Sequence, residues 1–526
     1  MHKCILLNLI FILFSGQKTT AQHFFEKVYG DNGSDVCIKV FDSGSRYILA
    51  GTTTSQGAGS YDVCLLLTDS FGTLLQNTIV GGFAEDVCIA ATSTIHKEYL
   101  LAGYSNSFSS EQPFFMKFDA AGNFLWGKIL AVSGWAQGVG SDANGNILIT
   151  GYHSNPEPDV FVAKCDSSGN VIWAKSFGDS LLNEGRRIIA THDGGVLVSG
   201  TTHVQAGGPS DIFVLKTDSI GNLLWSYSYA VPSFWSWDIG YALQEMETDI
   251  IVGGLSYSEA FNNNPNSADA LVAVLDSAGN VKQGIAIGSS EYDDMRDLSI
   301  EPGGRICITG ATDIIGNGNT DMLLACFDTS GNIYNQILFG GSSFDHGLSV
   351  TPLKYDSYLV AGYSESFGVN LEDMYLTKTN GSYVSCNATT GNLGLVPIQI
   401  LRNDVFDESF INLGVLSPFF SITTVPLVPN SLCATAAVDN PERSGEFSIT
   451  PNPFQDYFTI ETPEETSGEF SIILFDMTGR KINAWENISF SDRKPFRIQT
   501  NELAKGIYFC KLESVKESKV IQIVRQ

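Results

Sequence analysis

The chain has 526 residues, with 30 Lys and Arg against 57 Asp and Glu, a formal net charge of −27. That balance excludes a phosphate-gripping surface of the kind that holds nucleic acid, and 43% hydrophobic with only 17% charged residues excludes a disordered chain. The 52 glycines and 11% aromatic residues favour strands and tight turns over helices.

At the N-terminus, His2 and Lys3 precede an apolar run from Cys4 to Phe14, then polar Ser15 to Thr20 and small Ala21. The run is too short to span a bilayer and has the layout of a secretory signal peptide, residues 1–21, cleaved after Ala21. Cys4 lies inside the run, away from the cleavage point.

Residues 22–386 repeat. A turn of the form Asp-x-x-Gly-Asn follows a short apolar strand at Asp119, Asp166, Asp218, Asp276 and Asp328, with relatives at Asp69 and Asn380-Gly381. Its glycines, Gly72, Gly122, Gly169, Gly221, Gly279, Gly331 and Gly381, recur roughly every fifty residues, and an insertion at Asn262 to Asn266 widens one interval. A second mark keeps step: an apolar residue, a small residue and then Gly51, Gly103, Gly151, Gly200, Gly254, Gly310 and Gly362. Each unit divides into four short β segments separated by Gly, Asn, Asp and Ser turns, which predicts an all-β, seven-bladed β-propeller. The stretch Phe24 to Gly30 looks like a fourth strand without a third, and predicts that the N-terminus completes the last blade; Ser382 to Cys386 is the alternative for that place.

Two acidic series repeat with the blades. Asp62, Asp159, Asp211, Asp269, Asp321 and Asp373 open the third strand, where a carboxylate accepts from loop N–H groups. Asp35, Asp86, Glu184, Asp238, Asp294 and Asp345 open the first, axis-lining strand; as a ring at one mouth of the channel they would suit Ca²⁺ or sugar hydroxyls, against the plainer reading that each fixes its own loop. Ligand sites tend to break symmetry, so the irregular Ser233 to Trp237 and Glu291 to Asp294 carry the binding candidates: Trp235, Trp237, Tyr292 and Asp294. Trp126, Trp173 and Trp225 share one fourth-strand position and read as blade packing. No hydrolase, phosphate-loop or EF-hand motif occurs, and no histidines are paired at ligand spacing, so no catalytic residue and no cofactor other than Ca²⁺ is expected.

Cys37, Cys64, Cys88, Cys165, Cys307 and Cys326 replace apolar strand residues and read as small buried hydrophobes, while Cys386 and Cys433 bracket the region after the ring as the disulfide candidate. Residues 387–445 lose the repeat and read as a β-rich connector and linker. Residues 446–526 read as a separate small β-sandwich, from alternating runs at Tyr457 to Glu461, Phe470 to Asp476, Phe496 to Thr500 and Ile507 to Glu513.

In that last region Pro451-Asn452-Pro453-Phe454, Leu474-Phe475-Asp476-Met477-Thr478-Gly479-Arg480, Leu503-Ala504-Lys505-Gly506-Ile507-Tyr508 and Lys519 to Val524 resemble the type A C-terminal sorting domain of the type IX secretion system, with an Ig-like sandwich. Ala504 stands where proline is common. The resemblance implies export through the periplasm, partnership with the type IX machinery and its sorting peptidase, and release or anchoring at the outer membrane surface. The 22–386 part resembles the repetitive propellers joined to such tails. The expected function is a secreted or surface binding protein for polysaccharide or protein and not an enzyme; the alternatives are a glycan-active enzyme using carboxylates at the mouth, and a structural or adhesive surface protein.

Overall fold

The computed structural model describes residues 24–432, apart from 155–157, 233–236, 247, 258–266, 314–318, 355, 369–370, 381–384, 412, 419 and 425–429, together with the strands of 448–525. Regular structure among them is strand throughout, and no helix is long and apolar enough to cross a membrane. Residues 1–21, read as a leader from sequence, lie outside the described residues. The chain divides into two compact units, Met1–Thr435 and Ala436–Gln526.

The first unit is seven five-stranded antiparallel sheets. Their first strands begin at Asp35, Asp86, Gly134, Asn183, Asp238, Asp297 and Asp345, and they pack side by side in that order, the seventh returning to the first. This closes a seven-bladed propeller. Seven apolar cores fill it, one between each neighbouring pair of blades; blades 1 and 2, for example, share Ile48, Leu65, Val80, Leu101, Phe114 and Ile129. Sheets that bury both faces in this way explain the near-continuous apolar runs of the middle strands, such as Asp62–Asp69 and Asp269–Asp276.

Both repeated glycines have a steric cause. The turn glycines Gly72, Gly122, Gly169, Gly221, Gly279 and Gly331 sit at φ of +72° to +88°, the left-handed region that a Cβ disfavours. In these turns the aspartate caps the loop: Asp166 Oδ1 accepts from Ser168 N and Asn170 N, both at 2.9 Å. The second-strand glycines face a bulge in the first strand, and a Cβ there would meet a backbone carbonyl oxygen at 1.8 to 2.1 Å in all seven blades, as Gly151 would meet Trp135 O at 1.8 Å. Gly151→Ala is expected to cost about 3 kcal/mol or more, because backbone must move against backbone; an unchanged melting temperature would contradict this.

The N-terminal strand Phe25–Tyr29 pairs with Asp373–Lys378 as the fourth strand of blade 7, the place for which Ser382 to Cys386 was the alternative. The segment after the ring then does something the sequence pattern does not announce. It runs round the circumference and adds a fifth strand to every blade: Thr389–Thr390 to blade 6, Gly394–Ile398 to blade 5, Leu401–Asp404 to blade 4, Asp407–Phe410 to blade 3, Val415–Leu416 to blade 2, Ser421–Thr424 to blade 1, and Asn430–Ser431 to blade 7. Between these strands it presses Leu393, Ile400, Leu413 and Phe420 into the outer ends of successive cores. The belt thus covers edges that would otherwise expose unpaired backbone.

Both ends of the belt meet on the N-terminal strand. Glu26, fully buried, accepts from Asn387 N at 2.7 Å, Asn387 Nδ2 at 2.8 Å and Tyr375 Oη at 2.9 Å, and its backbone oxygen accepts from Leu432 N at 3.0 Å. Cys386, one residue before the belt, is disulfide-bonded, while Cys433 lies outside the described residues. Cys307 and Cys326 correct the expectation made for them: they face each other on adjacent strands of blade 6 and form a disulfide. Cys37, Cys64, Cys88 and Cys165 are free and buried.

In the second unit, a three-stranded sheet (Ser448–Thr450, Tyr457–Glu461, Phe496–Gln499) and a four-stranded sheet (Lys481–Ser489, Glu469–Asp476, Gly506–Glu513, Ser518–Arg525) enclose one core of Phe458, Ile460, Ile472, Leu474, Ile498, Tyr508, Cys510 and Leu512. Tyr508 anchors its strand from inside that core. Asp476, Gly506 and Lys519 lie on strands of the four-stranded sheet, whereas Pro451, Asn452, Pro453 and Gly479 lie outside the described residues.

Candidate functional site

The acidic series at the first strand does not ring the channel. Asp35 Oδ2 accepts from Asp31 N and Ser55 Oγ, Asp86 Oδ2 from Gly82 N and Ser107 Oγ, Asp345 Oδ2 from Gly341 N and Ser366 Oγ, and Asp238 Oδ2 from Val231 N. These four are buried, each tying together the loops of its own blade. Burial pushes the Asp35 and Asp345 carboxyls above the ordinary range. Among the described residues no group of three or more His, Cys, Asp or Glu is placed to hold a metal ion, so the Ca²⁺ ring is not formed.

Register corrects two members of that series. Asp35, Asp86, Asp238 and Asp345 pair with Thr53, Ser105, Ser256 and Ser364, and the residues in the same place on blades 4 and 6 are Asn183, opposite Thr202, and Asp293, opposite Thr312. Glu184 and Asp294 lie one residue further on. A slip of one residue in a strand reverses the face, so these two share the position of Trp135 and His346.

Asp294 is the centre of a cluster that only blades 6 and 7 build. It is fully buried, and its carboxylate accepts from Arg296 Nε at 2.8 Å, Tyr292 Oη at 3.1 Å and Ala311 N at 2.8 Å, with His346 Nε2 at 2.9 Å. His346 Nδ1 lies 3.3 Å from Tyr363 Oη. Burial alone would raise the Asp294 carboxyl, but His346 and Arg296 outweigh it and hold the group well below the usual range. Its neighbour Asp293, facing Ser289 and Thr312, shows the opposite result: burial prevails and pushes it up to about 6. Burial also pushes the Tyr363 phenol up to about 12.

Two residues on from Asp294, the strand turns to the axis and the charge changes sign. A cavity of about 240 Å³ on the axis is lined by one equivalent residue from every blade: Ile38, Ile89, Gln137, Arg186, Tyr241, Arg296 and Leu348. Lys39 and Arg187 add to its wall. Arg296 lies over the Tyr241 ring at 4.3 Å and Arg186 at 5.4 Å from its centroid. Arg186 Nη2 also meets Glu184 Oε2 at 2.6 Å. Asp297 on blade 6 takes Lys39 Nζ from blade 1 at 2.6 Å and Arg187 Nη2 from blade 4 at 2.8 Å. Blade 6 adjoins neither of those blades, so these ion pairs cross the channel. Four cations thus surround the cavity against three carboxylates, an excess of positive charge inside a strongly acidic protein.

Of the residues singled out from sequence, Tyr292 and Asp294 come together. Trp237 stands apart at the start of blade 5, 39% exposed and edge-on to His203, and Trp235 lies outside the described residues. Trp126, Trp173 and Trp225 serve packing: Trp126 packs edge-on to Phe115, Trp173 lies against the next blade's Gly221, and Trp225 stacks on Tyr227. The cavity cations escaped sequence reasoning. Their signal was available, since Lys39, Arg186, Arg187 and Arg296 are the Lys and Arg residues on or beside the axis-lining strands, in a chain with 30 such residues in all.

Among solved structures, the chain is similar to the polysaccharide lyase Uly1, at 11% identity and a TM-score of 0.41 over 66% of this chain and 90% of that one. A Dyadobacter fermentans protein of unknown function gives 12% and 0.40 over 67% and 97%. A Bacteroides caccae protein of unknown function gives 11% and 0.34 over 57% and 99%. Likeness at this distance carries no inference about activity. The chain matches no curated protein. Residues 448–526, by contrast, match the secretion system C-terminal sorting domain. The residues from Ser448 to the C-terminus are a type IX C-terminal sorting domain, which marks the chain as an exported protein, secreted or attached at the outer cell surface.

Proposed function

We propose that the propeller is an exported binding module for acidic polysaccharide, and that its axial cavity supplies the recognition. The observation that carries this reading is the ring of Lys39, Arg186, Arg187 and Arg296 on the axis of a chain with a net charge of −27. In so acidic a protein, cations gathered around a concave, partly apolar wall are matched to a ligand that brings negative charge and flat apolar faces together. The acidic polysaccharides do both. The reading is one of binding without turnover: the three carboxylates beside the cavity, Glu184, Asp294 and Asp297, are all committed to ion pairs.

Titration of the full-length protein by calorimetry, with alginate, polygalacturonate, hyaluronan and carrageenan set against neutral dextran and xylan, tests this. Binding is expected for acidic polymers only, and should weaken at least tenfold between low and high salt as the charges are screened. Equal binding of the neutral polymers would sink the reading, as would silence across the acidic panel, which would turn attention to a protein partner.

A second reading, turnover of a glycan, is favoured by the row Tyr363, His346, Asp294. With His346 donating from Nε2 to Asp294, its Nδ1 accepts from the Tyr363 hydroxyl, which gives that phenol a proton acceptor against the burial that pushes it up to about 12. Release of shorter saccharides on prolonged incubation, abolished by His346→Ala, would establish it in place of binding alone.

A further inference from the structure

The size and closure of the cavity bear on which part of a glycan it takes. Its volume, about 240 Å³, is below the range of pockets that enclose drug-sized ligands, roughly 300–1,000 Å³. The axis is crossed by Asp297, held from blade 1 by Lys39 and from blade 4 by Arg187, so a polymer cannot thread through without breaking two ion pairs. Solvent reaches the wall, because Arg186 and Arg296 each keep 27% of their side-chain surface.

Two polar atoms on that wall lack a partner. Gln137 Oε1 and Arg186 Nε, on neighbouring blades, are buried and make no hydrogen bond among the described residues. A buried donor or acceptor left unpaired costs about 1–3 kcal/mol, and native proteins seldom leave one without a reason. Here an acceptor and a donor hold equivalent positions on neighbouring blades of the one cavity, which the Tyr241 ring also lines, 5.4 Å from Arg186. That is the pairing that recognises a sugar hydroxyl next to an acidic group, with the ring as a flat apolar face.

We propose that the cavity receives a single acidic sugar residue at the end of a glycan chain, with its carboxylate or sulfate held between Arg186 and Arg296 and a hydroxyl on Gln137. This rests on the binding function proposed above and narrows it to chain ends. One excess positive charge on the wall matches one negative group on the incoming residue.

The test uses full-length protein and oligosaccharides of three and ten residues, one series from polygalacturonate and one from carrageenan, with free galacturonic acid and galactose sulfate as competitors. For an end-specific cavity the trimer and decamer of one series bind with the same affinity per molecule and one protein per chain. The matching monosaccharide competes, and Arg186→Gln and Gln137→Leu each weaken binding more than tenfold, Gln137→Leu at an unchanged melting temperature because its Oε1 gives up no hydrogen bond among the described residues. Which series binds identifies the acidic group. Affinity that climbs with length, or several proteins on one decamer, would overturn end recognition while leaving polysaccharide binding intact. If neither oligomers nor polymers bind, both readings fall.

Discussion

Glu26→Ala is expected to be among the most damaging single substitutions in the propeller, costing on the order of 3–5 kcal/mol. The lost carboxylate strands Asn387 N, Asn387 Nδ2 and Tyr375 Oη in a fully buried place, and each unsatisfied buried group costs about 1–3 kcal/mol, not additively. The effect should be larger than one contact implies, because Glu26 holds the start of the belt through its side chain and the end through its backbone oxygen. Thermal melting and limited proteolysis check this together: the variant should melt earlier and be cut first within 387–432. Glu26→Gln, which keeps an acceptor for Asn387, should lose about half as much. A variant that melts with the wild type and shows no new cleavage would mean that the belt holds without this clasp.

Asp293 and Asp294 should respond to amidation with opposite signs. Asp294→Asn removes the charge that compensates Arg296 in a buried cluster, and is expected to cost about 3–5 kcal/mol at neutral pH. Because its folded-state pKa is depressed, that stabilisation is present above the ordinary carboxylate range and fades only as the pH falls below about 4. Asp293 is raised to about 6, so it contributes most below about pH 4, and that contribution is lost as the pH rises through 6. Asp293→Asn, able to keep Ser289 and Thr312 as partners, should therefore be neutral at pH 4 and stabilising by about 1–3 kcal/mol at pH 8.

Asp35, Asp62, Asp211 and Asp345 are raised by burial in the same direction. Asp293, raised to about 6, should consequently make the intact protein melt at a higher temperature near pH 5 than near pH 8, against the opposite contribution of His153, whose neutral form burial favours. The turn aspartates do not oppose this, since Asp119, Asp166, Asp218, Asp276 and Asp328 are lowered and give up their contribution only in stronger acid. Melting curves of wild type and both variants across this range decide the matter, and a monotonic rise in stability up to pH 8 would contradict it.

What could be read from sequence was whatever repeats. The glycines at left-handed turns and at the first-strand bulge recur because backbone geometry requires them in each blade, so their period alone announced seven blades. The unpaired Phe24 to Gly30 announced how the ring closes. The belt was not legible, since its strands are two to five residues long, each pairs along one edge only, and none shares a pattern with the next. Asp294 was picked out by its irregular setting but placed in the wrong series, because a slip of one residue cannot be seen without the opposing Thr312. The Cys307 and Cys326 pair was missed because partners across two strands leave no mark in spacing.

A ribosome making this chain releases the seven blades first, the belt next and the sorting domain last. Every premature stop before the final belt strand, Asn430–Ser431, therefore yields a product that lacks at least the Leu432 half of the clasp and the whole of the export address. Unfinished propellers, with open rims and unpaired outer strands, lack the sorting domain, and the order of the elements alone sets complete molecules apart from incomplete ones.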